Sequence, residues 1–113
     1  MVAYPSKGSI IYIDFDPSAG AEIRKRRPAL VVSDNTLAKT SPFVWVVPIS
    51  HGTFNGPDYP LHVKLDNRTK TDGTIYVEQL KVMDFKSRKW SFVEQVPPSI
   101  LDEVHQKIKL IVK

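Results

Sequence analysis

The run "PPSILDEVHQKIKLIVK" (97–113) is the one long segment whose apolar residues recur at helical spacing. Leu101, Val104, Ile108 and Ile111 fall at steps of three, four and three, so a helix presents them as a single stripe. Pro98 suits a first-turn position, and Asp102 and Glu103 lie near the positive end of the helix dipole. The segment therefore predicts one closing helix, and the rest of the chain has to supply the surface on which it packs.

Upstream, the apolar period is two or absent. "SIIYIDF" (9–15) predicts a strand with Ile11, Ile13 and Phe15 on one face. A loop, "DPSAGAEIRKRR", leads to a short apolar strand over 28–33 that Pro28, lacking an N–H, is expected to open. "DNTLAKTS" fits one helical turn capped by Asp34 or Asn35. "FVWVVPIS" (43–50) reads as a strand buried on both faces. The two glycines and two prolines of "HGTFNGPDYP" predict a mobile surface loop. In 61–65 Leu61, Val63 and Leu65 are expected inward, with His62 and Lys64 outward. "DNRTKTDG" reads as a turn, and "TIYVEQL" (74–80) and 90–96 complete the strands. Short strands with one closing helix imply a mainly β (α+β) fold, a small and strongly bent β-barrel.

At 113 residues, 42% hydrophobic and 25% charged, the chain suits a single domain spanning 1–113 with a real core. It contains no cysteine, which removes disulfides, thiolate ligands and thiol nucleophiles. No apolar run reaches the roughly 18 residues of a membrane span, and the first residues lack the apolar region of a secretion signal. A cytoplasmic location with no membrane contact is expected. The net charge of +4 suits a polyanionic partner.

That charge is concentrated in Arg24, Lys25, Arg26 and Arg27. Charge alone fits a solvated loop as well as an anion site. Arg27, however, is held by the fixed φ of Pro28 beside it, and Glu22 lies five residues upstream, within reach of an ion pair. A fixed guanidinium can grip two phosphate oxygens at once. Ser50 places a hydroxyl at the rim of a rigid strand, although serines at strand ends are commonly turn formers. Of the three histidines, only His51, next to Ser50, is kept as a site candidate; His62 reads as an outward strand residue and His105 as helix surface. None has metal-ligand spacing, and Asp14 and Asp16 fit turn and capping roles better than a magnesium pair, so no metal or other cofactor is expected. Glu78 is an acid within an apolar strand, placed either for solvent or for a purpose.

Taken together, "GSIIYIDFDPSAGAEIRKRRPALVVSD", "WVVPIS", "YPLHVKL" and "DGTIYVEQLKVMD", followed by the closing helix, resemble the MazF/PemK family of toxin ribonucleases from bacterial toxin–antitoxin modules. The resemblance covers nearly the whole chain in order. It implies an SH3-like β-barrel with a C-terminal helix, the MazF/PemK/CcdB-like architecture. It also implies a homodimer that cuts single-stranded mRNA without a metal ion, leaving 2′,3′-cyclic phosphate and 5′-hydroxyl ends. The family's catalytic Arg and Thr/Ser correspond to Arg27 and Ser50, and Glu22 and Glu78 fall on acidic positions linked to the active site, either one a general base. Arg24, Lys25 and Arg26 stand where many relatives carry glycines, and form a looser cationic rim that tracks the RNA backbone. Ala21 and Tyr76 stand where some plasmid relatives carry a histidine and an arginine.

Phe54 and Tyr59 are candidate base-stacking surfaces or ordinary loop anchors, and Gln79 is a candidate for reading a base edge. The implied antitoxin is a small protein whose acidic, disordered C-terminal tail competes with RNA for the same basic groove. The alternatives are a non-catalytic binder on the same scaffold, such as the related toxins that poison DNA gyrase, and a decayed toxin that only titrates antitoxin.

Overall fold

Two strands at the centre of the sheet fix everything else. β1 (Ser9–Asp14) and β2 (Arg26–Val31) run antiparallel, with Ile10 opposite Leu30 and Asp14 opposite Arg26. Just beyond them the Phe15 N–H donates to the Lys25 carbonyl at 3.0 Å. Lys25 adopts φ 71°, the left-handed region, at a cost on the order of 1 kcal/mol. The computed structural model describes residues 4–15, 25–51 and 59–112. Glu22, Arg24 and Phe54, singled out above, lie outside the described residues. The second strand begins at Arg26, two residues before the proline expected to open it; Pro28 sits inside β2, opposite Tyr12.

The helical turn expected after β2 is α1 (Asn35–Thr40), capped as read: the Thr36 N–H donates to the Asp34 carboxylate at 2.9 Å. β3 (Phe43–Ser50) pairs with β2, but it is not buried throughout. Phe43 and Trp45 are 41% and 43% exposed, whereas Val47, on the same side of the strand, is buried. β4 (His62–Lys64) and β5 (Thr74–Tyr76) form a short hairpin. The strand expected over 74–80 stops at Tyr76: a 3₁₀ turn (Val77–Gln79) follows, anchored by the Val77 N–H on the Leu61 carbonyl at 3.1 Å. The chain then forms β6 (Lys81–Asp84), unforeseen in the sequence, and β7 (Trp90–Gln95).

Among the described residues the strands hydrogen-bond in the order β4-β5-β3-β2-β1-β7, with β6 alongside β3 and every pair antiparallel. The result is a curled sheet that does not close by backbone pairing, since β4 and β7 are its two ends. Along one edge β3 pairs with β6 through Val46 and with β5 from Ile49. Pro48, which has no N–H to offer, lies in that changeover.

Apolar residues fill both faces of the central strands. Ile10, Leu30, Val47, Ile49 and Ile75 pack on one side with Ile100 and Val104 of α2 (Pro98–Ile111). Ile11, Ile13, Phe15, Val44 and Met83 pack on the other, with Ala38 of α1. The helix stripe is shifted from the one expected. Val104 is fully buried and Leu101 and Ile108 are half-buried, but Ile111 is 46% exposed and Ile100 takes its place in the core. Among the described residues no helix is long and apolar enough to cross a membrane.

Candidate active site

Register brings the first two site residues together. Ala29 of β2 stands opposite Pro48 of β3. Extending that register by two residues on each strand sets Arg27 opposite Ser50, and the Arg27 Nη1 donates to the Ser50 Oγ at 3.0 Å. Both side chains sit on the rim of an open cavity of about 510 Å3. Pro28, Ile49 and His51 continue the same wall.

Arg26 also lines the cavity, but not as a loose cation. Its Nη1 donates to the Lys89 carbonyl at 2.8 Å, and its guanidinium carbon lies 5.3 Å from the centre of the Tyr12 ring. Cross-strand neighbours therefore fix two guanidiniums of the basic cluster, giving the cavity a positive wall of defined shape. Lys25 is exposed and is not part of that wall.

The rest of the lining was not foreseen as a site. It comprises Thr71 and Asp72, from the turn between β4 and β5, and Val93 of β7. The turn is tightly bonded: the Leu65 N–H donates to the Gly73 carbonyl at 2.9 Å and the buried Thr69 hydroxyl to the Thr71 carbonyl at 2.8 Å. Gly73 adopts φ 126°, and a Cβ there would stand 2.9 Å from the Ser50 carbonyl oxygen. The turn therefore presses its backbone directly behind Ser50. A single carboxylate grips it from β7: Glu94 accepts from the Lys70 N–H at 3.0 Å, the Thr71 N–H at 2.8 Å and the Thr71 hydroxyl at 2.9 Å.

Partial burial pushes the Glu94 carboxyl up, but those three donors and the Lys70 charge outweigh it and hold the group below its ordinary value of 4.5. The folded state thus favours the anion more than the unfolded chain does. The resulting stability is complete above about pH 4.5 and is lost as pH falls through the lower folded value. Thermal unfolding measured from pH 7 down to pH 3 should show a steeper acid loss in the wild-type chain than in Glu94→Gln. Asp34 and Asp66, also held low by their hydrogen bonds to Thr36 and Arg68, leave some acid sensitivity in both proteins.

Glu78 is placed elsewhere. It lies on the 3₁₀ turn, its Oε2 is 3.0 Å from the His62 Nε2, and it is not among the described residues of the cavity wall. His62 does not point outward as expected: its side chain is 5% exposed, stacked on Tyr76 at 4.4 Å and met edge-on by Tyr59 at 4.9 Å. The cause is the 3₁₀ turn, which folds Glu78 back over the β4 edge. The second oxygen of Glu78, Oε1, is buried without a hydrogen-bond partner among the described residues. Tyr59 thus has an anchoring contact, and Gln79 is half-buried beside Glu78, outside the cavity wall. His105, expected on the helix surface, lies with its Nε2 3.1 Å from the Val32 carbonyl, which ties α2 to the end of β2.

This arrangement of strands and closing helix recurs in known proteins. Residues 6–112 match the family model described as PemK-like, MazF-like toxin of type II toxin-antitoxin system. The chain is 29% identical over 106 residues to an Escherichia coli protein named endoribonuclease PemK, covering 93% of this chain and 80% of that one. It is 29% identical over 108 residues to the endoribonuclease toxin MazF of Escherichia coli K12, covering 96% and 94% respectively. The crystal structure of MazF from Deinococcus radiodurans superposes with a TM-score of 0.89 at 26% identity, over 98% of each chain. With the family model spanning both strands of the Arg27–Ser50 pair, the turn behind Ser50 and the whole of the closing helix, this chain belongs to the PemK-like, MazF-like toxin family of type II toxin–antitoxin systems.

Proposed function

We propose that the chain is the toxin of such a system: a cytoplasmic, single-domain endoribonuclease that cuts single-stranded mRNA without a metal ion and so arrests translation and growth. The observation that carries this reading is the Arg27–Ser50 pair, 3.0 Å apart on the rim of a positively lined cavity, in a chain of this family.

In the reaction proposed, the 2′-hydroxyl attacks the adjacent phosphorus. The O–P bond to the 5′ oxygen of the next nucleotide breaks and that oxygen takes a proton from water, leaving a 2′,3′-cyclic phosphate and a 5′-hydroxyl. Negative charge builds on the non-bridging oxygens, and the Arg27 fork, already oriented by Ser50, meets two of them. A guanidinium is a cation with five N–H donors and no acceptor, so Arg27 clamps charge and does not shuttle protons. The Ser50 oxygen accepts from Arg27 and keeps its own O–H as a donor to the phosphate. Glu22, five residues before Arg27, is the proposed general base. Glu78, the other acid considered, is engaged by His62 away from the cavity wall. Asp72 in the cavity wall fits acceptance of hydrogen bonds from base amino groups.

The partner that restrains such a toxin is an antitoxin with an acidic tail, drawn to the wall that holds Arg26 and Arg27. The exposed apolar side chains Phe43, Trp45 and Val82, of which Trp45 and Val82 are directly paired across β3 and β6, support a homodimer.

The test is to incubate purified protein with a long single-stranded RNA in excess EDTA and map the cut ends. Cleavage with cyclic-phosphate and 5′-hydroxyl ends is expected. Intact RNA with or without added metal would sink the ribonuclease reading, leaving a gyrase-binding or antitoxin-titrating protein. Cleavage that EDTA abolishes would sink the metal-independent mechanism alone.

A further inference from the structure

The sheet is open between its end strands, yet the cavity is formed where those ends approach. β7 ends one side of the sheet, and the β4–β5 hairpin ends the other. The link across the gap at the cavity is the side chain of Glu94, whose carboxylate takes three hydrogen bonds from Lys70 and Thr71 at 2.8 to 3.0 Å. Hydrogen bonds to an ionised acceptor are roughly twice as strong as neutral ones, so one residue here does the work of a missing ladder.

Its aim depends on an irregularity in β7. Ile10 stands opposite Glu94 and Ile11 opposite Phe92, so Val93 is an extra residue, a bulge. Bulges re-aim side chains and gather beside active sites. In this one Val93 lines the cavity and Glu94 reaches the turn.

Two residues beyond Thr71, the backbone of Gly73 is packed against the Ser50 carbonyl so closely that a single added carbon would stand 2.9 Å from it. Between them, Asp72 stands in the cavity wall. The chain of contact therefore runs from Glu94 through Lys70 and Thr71 to Gly73, and from Gly73 to the residue that orients Arg27.

We propose that Glu94 is a positioning residue for the Arg27–Ser50 pair: its carboxylate clasps the two ends of the open sheet and holds the 70–73 turn behind Ser50 and in the cavity wall. The proposal rests on reading this cavity as a ribonuclease site. Glu94 touches no reacting atom, so its effect passes entirely through the geometry of the turn.

The experiment compares wild-type protein, Glu94→Gln and Arg68→Ala on one single-stranded RNA oligonucleotide, measuring kcat and KM separately, with amide hydrogen exchange at Lys70 and Thr71. Glu94→Gln keeps the size of the side chain but loses the charge and one acceptor oxygen. Small misplacements in an active site cost up to about 100-fold, so a fall of about 10- to 100-fold in kcat is expected, with KM changed by less than about threefold. Faster exchange at both amides should accompany it. Arg68 binds Asp66 and Ser99 at the far side of the same turn, and its replacement is expected to leave kcat within about twofold of wild type. Unchanged kcat in Glu94→Gln, or equal losses in both variants, would overturn the proposal; equal losses would mean that any loosening of the turn suffices. Loss of global folding by Glu94→Gln is read from its unfolding curve, and Glu94→Ala complemented by millimolar acetate then decides: recovery of kcat supports the clasp, and no recovery counts against it. A wild-type chain that cuts no RNA removes the functional reading itself, an outcome distinct from an active wild type with an equally active Glu94→Gln.

Discussion

Arg27→Ala is expected to lower kcat for RNA cleavage by about 100- to 1000-fold, the usual loss when one preorganised donor to a developing oxyanion is removed. The loss falls on kcat because the charge on the phosphate oxygens grows only as the 2′ oxygen bonds to phosphorus. Arg26 keeps a fixed positive charge in the same cavity, so RNA still binds and KM changes much less. Arg27 lies at the strand mouth, half-buried, and contributes nothing to either apolar core, so the unfolding midpoint should move by only a few degrees. Arg27→Lys separates charge from shape. A lysine restores a cation without the planar fork and should recover only part of the lost rate. Single-turnover cleavage with end mapping checks all three proteins, and normal cutting by Arg27→Ala would refute the assigned role.

Gly73→Ala should damage both stability and cleavage. A residue with a side chain is strained at φ 126°, and the new Cβ meets the backbone of Ser50, 2.9 Å from its oxygen and 3.2 Å from its carbonyl carbon. Backbone strain of this kind costs about 1 to 3 kcal/mol, and relief requires the end of β3 to shift together with Ser50. A destabilisation of about 2 to 3 kcal/mol in urea unfolding, with at least a tenfold fall in kcat, is expected. Gly8 provides the contrast. It also has positive φ, but a Cβ there meets the amide end of the Gln95 side chain, which can rotate away. Gly8→Ala should therefore cost the backbone strain and the Gln95 hydrogen bond to the Lys7 carbonyl, and leave cleavage near the wild-type rate. Full activity in Gly73→Ala would show that the close approach behind Ser50 has no bearing on the site.

The sequence allowed Arg27 and Ser50 to be picked out because each carries a local mark: a cation fixed by a following proline, and a hydroxyl ending an apolar strand. Their meeting across β2 and β3 is a matter of register, which the two apolar runs determine. The rest of the lining and its support carry no such mark. Asp72 and Gly73 read as an ordinary turn, and nothing in the sequence singles out Glu94, since a bulge at Val93 and contacts between chain ends have no one-dimensional signature. His62 shows the limit of alternation: in a three-residue strand the next turn can cover the outward face, and here the turn carrying Glu78 does. β6 was missed for the same reason, because the period of two is too short-lived in "KVMD" and Val82 is left 54% exposed.

The hydrogen bond from Phe15 to Lys25 closes the base of the segment between them, and on its inner side the β1–β2 pairing fixes Asp14 against Arg26 and Ile13 against Arg27. Whatever residues 16–24 contain, Arg27 is indexed by the sheet and not by them. Apart from Glu22, the proposed general base, the segment is in effect an exchangeable cassette. On that reading its charge can be redrawn by substitution around Glu22, while the pairing that indexes Arg27 against Ile13 is inherited unaltered.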